Sequence, residues 1–552
     1  MVKKATRAVE AGIKKPIPVT LLSGFLGSGK TTLLEHILTK EHGLKIAVII
    51  NDMSQLNIDA DLVQNHRVSQ KEEKLVQLQN GCICCTLRGD LLEELVSLAK
   101  DSAFEYIIIE STGISEPMQV AETFTTEFTN MYLENQEGVT PEDEKILKEI
   151  QELGGLEKVA QLDTCVTVID GKNFYHNLET TEFLVDRFGS TGQNEEERTI
   201  CDLMVDQIEF ADVIIVNKMD LVSKKQKKKI FKTIKSLNPV AKVIRTNYSR
   251  VDVNDVVGTG LFDFEKASSS AGWLQSLHEM TRREAYGNKL TPKPETEEYG
   301  INNFVYKSRR PFHPERLYKL IRDKFVVIES SGLAEEGQEG QEAENEEESE
   351  DEADEDEDDE DEGEDIDSED DEEDYVDPSE EQIIKNKKNS KFGPVLRSKG
   401  FFWLASRHII RGEWSSAGPM LTMRGGIPWF AVAGKEFYPP EAQALIDRDM
   451  QGKYGDRRNE IVFIGLSIDK DAISAELDKC LLDDEEYKVY EKITKEKNLF
   501  KVEKALQQEF VDGFESWIAF DEPDAAEEEP KVAAPEIHNG HVHKPKAVSS
   551  KS

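Results

Sequence analysis

The sequence predicts an α/β protein whose first half is a mostly parallel sheet with helices on both faces. Three observations predict it. Short apolar runs of β type recur at Ile17–Leu22, Lys45–Ile50, Tyr106–Ile109, Val166–Asp170 and Val213–Val216. Their continuous rather than alternating apolar character is that of strands covered on both sides. Stretches with apolar residues at helical spacing, such as Thr31–Lys40 and Arg88–Lys100, lie between them. Finally, several of these strands run straight into polar turns, of which GFLGSGKT after the first is the densest in glycine.

That first turn, Gly24 to Thr31, has the spacing of a phosphate-binding loop. Gly24 and Gly29, with Gly27 and Ser28 between them, let the backbone curl so that successive N–H groups face an anion. Lys30 then reaches the β- and γ-phosphates as a point charge, the Thr31 hydroxyl can ligate Mg²⁺, and Thr32 is a further candidate nucleotide-binding residue. The strand before and the helix after supply the required context, because a helix N-terminus favours anions. Lys30, Thr31 and Glu110 are the candidate catalytic residues.

Lys45–Ile50 ends in Asn51-Asp52-Met53, and Lys74–Leu78 reads as another short strand leading through Asn80-Gly81 into Cys82-Ile83-Cys84-Cys85. Tyr106–Ile109 ends in Glu110-Ser111-Thr112-Gly113. A carboxylate at the carboxyl end of a buried strand can hold the Mg²⁺ shell, and a glycine three positions later can sense a γ-phosphate through its N–H. Residues 126–160 are a polar, charge-rich helical stretch and read as a surface insertion, and residues 178–198 as another loop or excursion. Val213–Val216 leads into Asn217-Lys218-Met219-Asp220. The Asp220 carboxylate can accept from both N1–H and the exocyclic amine of guanine, so the nucleotide is expected to be GTP. Asn217 and Lys218 tie this loop to the base and the phosphate loop. Val243–Thr246 closes the domain, with Thr246-Asn247 placed to close over the base. The lysines from Lys224 to Lys229 read as a solvated helix face.

Composition bounds the rest. The chain has 552 residues, 38% of them hydrophobic, enough for two or three domains with real cores. Its net charge of -42 is concentrated: about thirty acidic residues and no lysine or arginine fall between Glu335 and Glu381. The remainder is mildly acidic, which argues against a nucleic-acid partner. Six cysteines in a chain of this length are not a disulfide framework. The N-terminus, residues 1–15, is expected to be flexible; it is basic but has no apolar h-region. No apolar run is long enough to span a bilayer, so no membrane partner is expected. The cytoplasm is the expected location, with nuclear or organellar targeting left open.

The order GFLGSGKT, NGCICC, ESTGISEP, NKMD resembles the CobW family of P-loop GTPases, whose members handle metal ions. Phe304–Tyr318, Gly400–Met423 and Gly455–Gly465 resemble that family's C-terminal domain. The resemblance implies a P-loop GTPase domain over 16–280 and a smaller α+β domain over 299–333 and 391–480. Between the two pieces of the latter, residues 334–390 form an acidic insertion expected to be disordered. A helical segment over 481–520 and a disordered tail over 521–552 complete the chain. Where the family usually has Asn-Glu followed by glycine, this sequence has Asn51-Asp52-Met53, so the shorter Asp52 is the candidate metal-side carboxylate of that turn.

Cys82, Cys84 and Cys85 carry the metal argument. Zn²⁺ prefers thiolate and imidazole, usually with four ligands. Cys82 and Cys84 project to one side of an extended segment, and a turn brings in Cys85. Three thiolates leave one position open, which suits a carrier that must release its cargo. His538, His541 and His543 in the tail are accessory candidates. The sequence therefore reads as a GTP-hydrolysing zinc metallochaperone with GTP, Mg²⁺ and Zn²⁺ as cofactors and a client metalloprotein as partner. A homodimer is compatible with it. No glutamine-like water-positioning residue stands at a recognisable place, so hydrolysis is expected to be slow and stimulated by metal or client. A GTPase inserting cobalt or iron, and a zinc store or sensor with negligible turnover, are the alternatives.

Overall fold

A computed structural model describes residues 15–40, 42–51, 74–78, 88–101, 103–124, 141–188, 198–263, 301–330, 378–438 and 443–517. The first domain is a seven-stranded sheet: β1 (Ile17–Ser23), β2 (Ile46–Asn51), β3 (Lys74–Leu78), β4 (Tyr106–Glu110), β5 (Ala160–Asp170), β6 (Val213–Asn217) and β7 (Lys242–Arg245). They stand in the order β3-β2-β4-β1-β5-β6-β7, and every pairing is parallel. The helices between them are α1 (Lys30–Leu38), α2 (Arg88–Lys100), α3 (Pro117–Glu122), α4 (Pro141–Leu153), α5 (Phe174–Leu178), α6 (Leu184–Phe188), α7 (Ile200–Phe210) and α8 (Lys224–Leu237).

Alternation within the apolar strands feeds two cores. Val19, Leu21, Ala47, Ile49, Ile107 and Ile109 pack towards α2 and α4. Leu22, Val48, Ile50, Ile108, Val166 and Val168 pack towards α1. Further along the sheet, Ile214 and Val216 meet α7 and α8. Burial on both faces explains why these strands lack the polar alternation of a one-sided sheet.

The second domain is a mixed sheet of six strands in the order β8-β13-β10-β11-β12-β9. These are β8 (Ile301–Ser308), β9 (Val326–Ser330), β10 (Val395–Phe402), β11 (Ile410–Ala417), β12 (Met420–Pro428) and β13 (Asn459–Leu466). All pairs are antiparallel except β12 with β9. Its core is aromatic: Phe304 and Phe463 stack with centroids 5.2 Å apart, and Trp414 is edge-on to Phe325 and Phe402.

Four expected readings are corrected. The stretch 126–160 is not all surface: Leu147, Ile150 and Leu153 of α4, then Leu156, Val159 and Ala160, are buried in the first core. The charged face of α4 hid its apolar stripe, and β5 begins at Ala160, well before the expected Val166. The expected insertion 334–390 ends earlier than thought, because α9 (Glu380–Asn389) is a capped helix whose Ser379 side chain accepts from the Gln382 N–H. Residues 481–517 are part of the second domain, since Tyr490, Val502, Leu506 and Phe510 pack on Trp403 and Trp429. Phe514 and Trp517 enter the main aromatic core. In the expected excursion 178–198, Leu184 is buried and Phe188 stacks on Phe25 at 6.5 Å.

Candidate functional site

The parallel sheet brings the carboxyl ends of four strands together. Leu22 of β1 lies opposite Glu110 of β4, Ser23 opposite Thr167 of β5, and Asp170 of β5 opposite Asn217 of β6. In such sheets ligands bind beyond these ends.

The loop after β1 is curled as its glycines allow, with positive φ at Gly24, Gly27 and Gly29. Gly29 admits no side chain: a Cβ there would lie 2.3 Å from Asn217 Nδ2 and 2.8 Å from Ser249 Oγ. Lys30, the first residue of α1, is buried and folds back over the loop, its Nζ donating to the Gly24 carbonyl at 2.7 Å and the Phe25 carbonyl at 3.4 Å. Among the described residues Ser28 Oγ is buried without a hydrogen-bond partner, an orphan of the kind that a bound oxyanion satisfies. Thr31 and Thr32 follow in the first turn of α1. Glu110 is 3% exposed and Gly113 follows in the adjoining turn.

Asn217 binds the second motif to the first. Its Nδ2 donates to the Ser28 carbonyl at 2.9 Å, and its Oδ1 accepts from the Ser249 N–H at 2.9 Å. Ser249 Oγ in turn donates to the Gly29 carbonyl at 2.9 Å. Lys218, at φ 56°, sends its Nζ to Asp170 at 2.8 Å. The Asp220 N–H donates to Asn247 Oδ1 at 2.9 Å, which holds an exposed Asp220 at the rim. The loop from Thr246 to Arg250 is strained, with positive φ at Tyr248 and Ser249.

Gly24, Gly27, Ser28, Gly29, Lys30, Thr31, Thr32, Glu110, Gly113, Asn217, Lys218 and Asp220 thus share one end of one sheet. Two residues missed from the sequence join them. Asp170 had a signal, a carboxylate ending a buried strand before glycine, as at Glu110. Ser249 had none beyond its place just after Asn247. Asp52, Cys82, Cys84, Cys85, His538, His541 and His543 lie outside the described residues. Among the described residues, no group of three or more His, Cys, Asp or Glu can hold a metal ion. Cys165, Cys201 and Cys480 are buried and form no disulfide among the described residues.

A glycine-rich turn between strand and helix, its lysine over the loop and an Asn-Lys-x-Asp turn locked to it, defines a P-loop nucleotide-binding protein. Family models match accordingly: the CobW/HypB/UreG nucleotide-binding domain over residues 18–147 and 145–245, and the CobW C-terminal domain over 377–481. The chain belongs to the CobW/HypB/UreG family of P-loop GTPases, in its zinc-regulated GTPase metalloprotein activator branch, and membership implies GTP hydrolysis. It is 37% identical over 494 residues to the zinc-regulated GTPase metalloprotein activator 1 of Dictyostelium discoideum, covering 88% of this chain and 84% of that protein. The namesake of Saccharomyces cerevisiae is 26% identical over 311 residues, 55% of this chain and 65% of that protein. The zinc chaperone YjiA of Escherichia coli is 41% identical over 114 residues, 20% of this chain and 34% of that protein. No helix among the described residues is long and apolar enough to cross a membrane.

Proposed function

We propose that this chain is a GTP-driven zinc carrier that hands its metal to a client metalloprotein. The observation that carries the nucleotide half is the Asn217 side chain, which joins the Ser28 carbonyl to the Ser249 N–H. It ties the guanine-side loop to the phosphate loop, so the two halves of the proposed site are held at one relative position. In this reading the loop amides and Lys30 hold the phosphates, Asp220 reads guanine, and the Gly113 N–H senses the γ-phosphate. The Thr31 hydroxyl and the Glu110 carboxylate are hard oxygen donors suited to Mg²⁺, which would neutralise phosphate charge there.

Cys82, Cys84 and Cys85 would hold the zinc, a thiolate set that suits this metal. They follow β3, within the same domain as the phosphate loop. The Dictyostelium and Escherichia relatives, whose names speak of zinc, make it the preferred cargo. Release to the client is tied to hydrolysis, since the cysteines stand in sequence between the phosphate loop and Glu110, where nucleotide-dependent segments lie in P-loop proteins.

Two measurements test the reading. Lys30→Ala is expected to lower GTP turnover by about 100-fold or more, read as phosphate release; unchanged turnover would mean the phosphate site is misassigned. The triple variant Cys82→Ser, Cys84→Ser, Cys85→Ser is expected to lose tight zinc binding while still binding GDP. Zinc retained as tightly as in the parent would place the cargo elsewhere.

A further inference from the structure

Helix α7 touches both domains, and its contacts fall on residues that no nucleotide motif includes. Gln207, 1% exposed, donates from its amide to the Gly113 carbonyl at 3.4 Å and the Ser115 carbonyl at 3.3 Å. Both partners are acceptors, so only the NH₂ end of the side chain fits there. The Gln207 backbone carbonyl accepts from Thr167 Oγ1 at 2.8 Å, which fixes the helix against β5. Gly113 in turn is pressed onto the phosphate loop: a Cβ there would lie 2.7 Å from the Leu26 N. Gln207 also faces Phe25 and Leu26 across a shared cavity of about 370 Å³. Gly113 is therefore held between the phosphate loop on one side and Gln207 on the other.

The second domain grips the same helix. Arg397 of β10, 1% exposed, reaches Asp202 Oδ1 at 2.6 Å, Asp206 Oδ1 at 3.0 Å and Glu209 Oε2 at 3.6 Å. Those three carboxylates stand at i, i+4 and i+7 and share one helix face. Cys201 Sγ adds a donation to the Ala417 carbonyl of β11 at 3.1 Å. At its start, Arg198 meets Glu116 at 3.1 Å and also Asp206. The helix is thus tied along its length to both sides, to the turn after Gly113 through Arg198 and Gln207 and to the second domain through Cys201, Asp202, Asp206 and Glu209.

We propose that Gln207 is the positioning residue for the Gly113 turn, and that Arg397 sets where Gln207 stands by fixing α7. The second domain then tunes the preference for GTP over GDP through this helix. The inference rests on the proposed role of Gly113 as γ-phosphate sensor. A residue that orders this turn contributes only when a γ-phosphate is present to be sensed, so its loss shifts the GTP/GDP ratio rather than both affinities.

The test is a set of binding titrations on the full chain with a fluorescent GDP and a non-hydrolysable GTP analogue. Gln207→Met, which keeps length and apolar fit, is expected to weaken the GTP analogue by about tenfold, the size of two neutral hydrogen bonds, and GDP by less than about twofold. Arg397→Lys keeps the charge but loses the planar fork, and is expected to shift the ratio in the same direction by less. In the Gln207→Met background it is expected to add nothing. Equal weakening of both nucleotides by Gln207→Met would overturn the positioning role. An undiminished Arg397→Lys effect in the double variant would overturn the route through α7. Gly113→Ala separates the two readings: should it leave the ratio unchanged, the sensor assignment itself fails. If it shifts the ratio while Gln207→Met does not, only the present inference fails.

Discussion

The two sheets of this molecule use their strands in opposite ways. In the first, every pairing is parallel, so all carboxyl ends point one way. Glu110, Asp170, Asn217 and the glycine loop after β1 meet there because parallel order leaves them no other place. In the second, antiparallel pairing sends successive strand ends to opposite edges. No row of ends accumulates, and the sheet instead presents a broad aromatic core and a buried arginine, Arg397, towards its neighbour. A parallel sheet concentrates loops into a site; an antiparallel one builds a platform that can hold a helix such as α7.

The largest expected effect tests whether the platform is separable from the site. Trp414 is fully buried, edge-on to Phe325 and Phe402, with its indole N–H donating to Ser398 Oγ at 2.8 Å. Trp414→Ala should cost about 3–5 kcal/mol in the unfolding free energy of the second domain, read by denaturant titration of aromatic fluorescence. GDP affinity should stay within about twofold. A parallel collapse of GDP binding would show that the two sheets fold as one unit.

A smaller effect lies at the junction between them. Burial pushes the Glu209 carboxyl up to about 7 against the opposing pull of Arg397, with Asp206 and Asp202 raising it and Lys399 lowering it. A carboxyl raised in this way keeps its proton in the fold after the unfolded chain has released it. Its stabilising contribution is therefore complete below the unfolded value near 4.5 and is lost as pH rises through about 7. The shift corresponds to something on the order of 3 kcal/mol. Glu209→Gln, which stays neutral, should flatten the fall in stability between pH 5 and pH 8, measured by thermal unfolding across that range. An unchanged slope would mean that Glu209 is ionised throughout.

The smallest effect concerns the lock within the site. Asn217→Ala removes the bridge between Ser28 and Ser249 and should weaken GTP and GDP equally, by about tenfold. Isothermal titration with both nucleotides checks it, and a loss confined to GTP would move Asn217 into the γ-phosphate machinery. The contrast with Gln207→Met, expected to act on GTP alone, makes the pair informative.

What could be read early follows chain distance. The phosphate loop closes on itself within a few residues, as Lys30 does on Gly24, so its geometry is written in local spacing. The central strands were legible because burial on both faces leaves continuous apolar runs, as in β4 and β6. Helix α4 was legible as a helix but not as part of the core, since its charged face diluted Ile146, Leu147, Ile150 and Leu153. Asp170 looked like any strand end until β6 was laid beside β5 and Lys218 reached it. The terminal helices looked like an appendix because their partners, Trp403 and Trp429, lie many residues upstream.

By itself the sequence determined the glycine-rich loop, the Asn-Lys-x-Asp turn and the sheet that carries them, because glycine conformations, strand burial and short hydrogen-bonded turns are set by neighbouring residues. It also set out the cysteine cluster as chemistry, though without a geometry. Only the tertiary structure decided what Gln207, Ser249 and Arg397 do. Gln207 stands 94 positions from Gly113, Ser249 stands 220 from Gly29, and Arg397 stands 195 from Asp202. At such separations no spacing rule applies: Ser249 meets Gly29 because parallel strands of one sheet end side by side, and Gln207 and Arg397 meet their partners because one helix lies between two sheets.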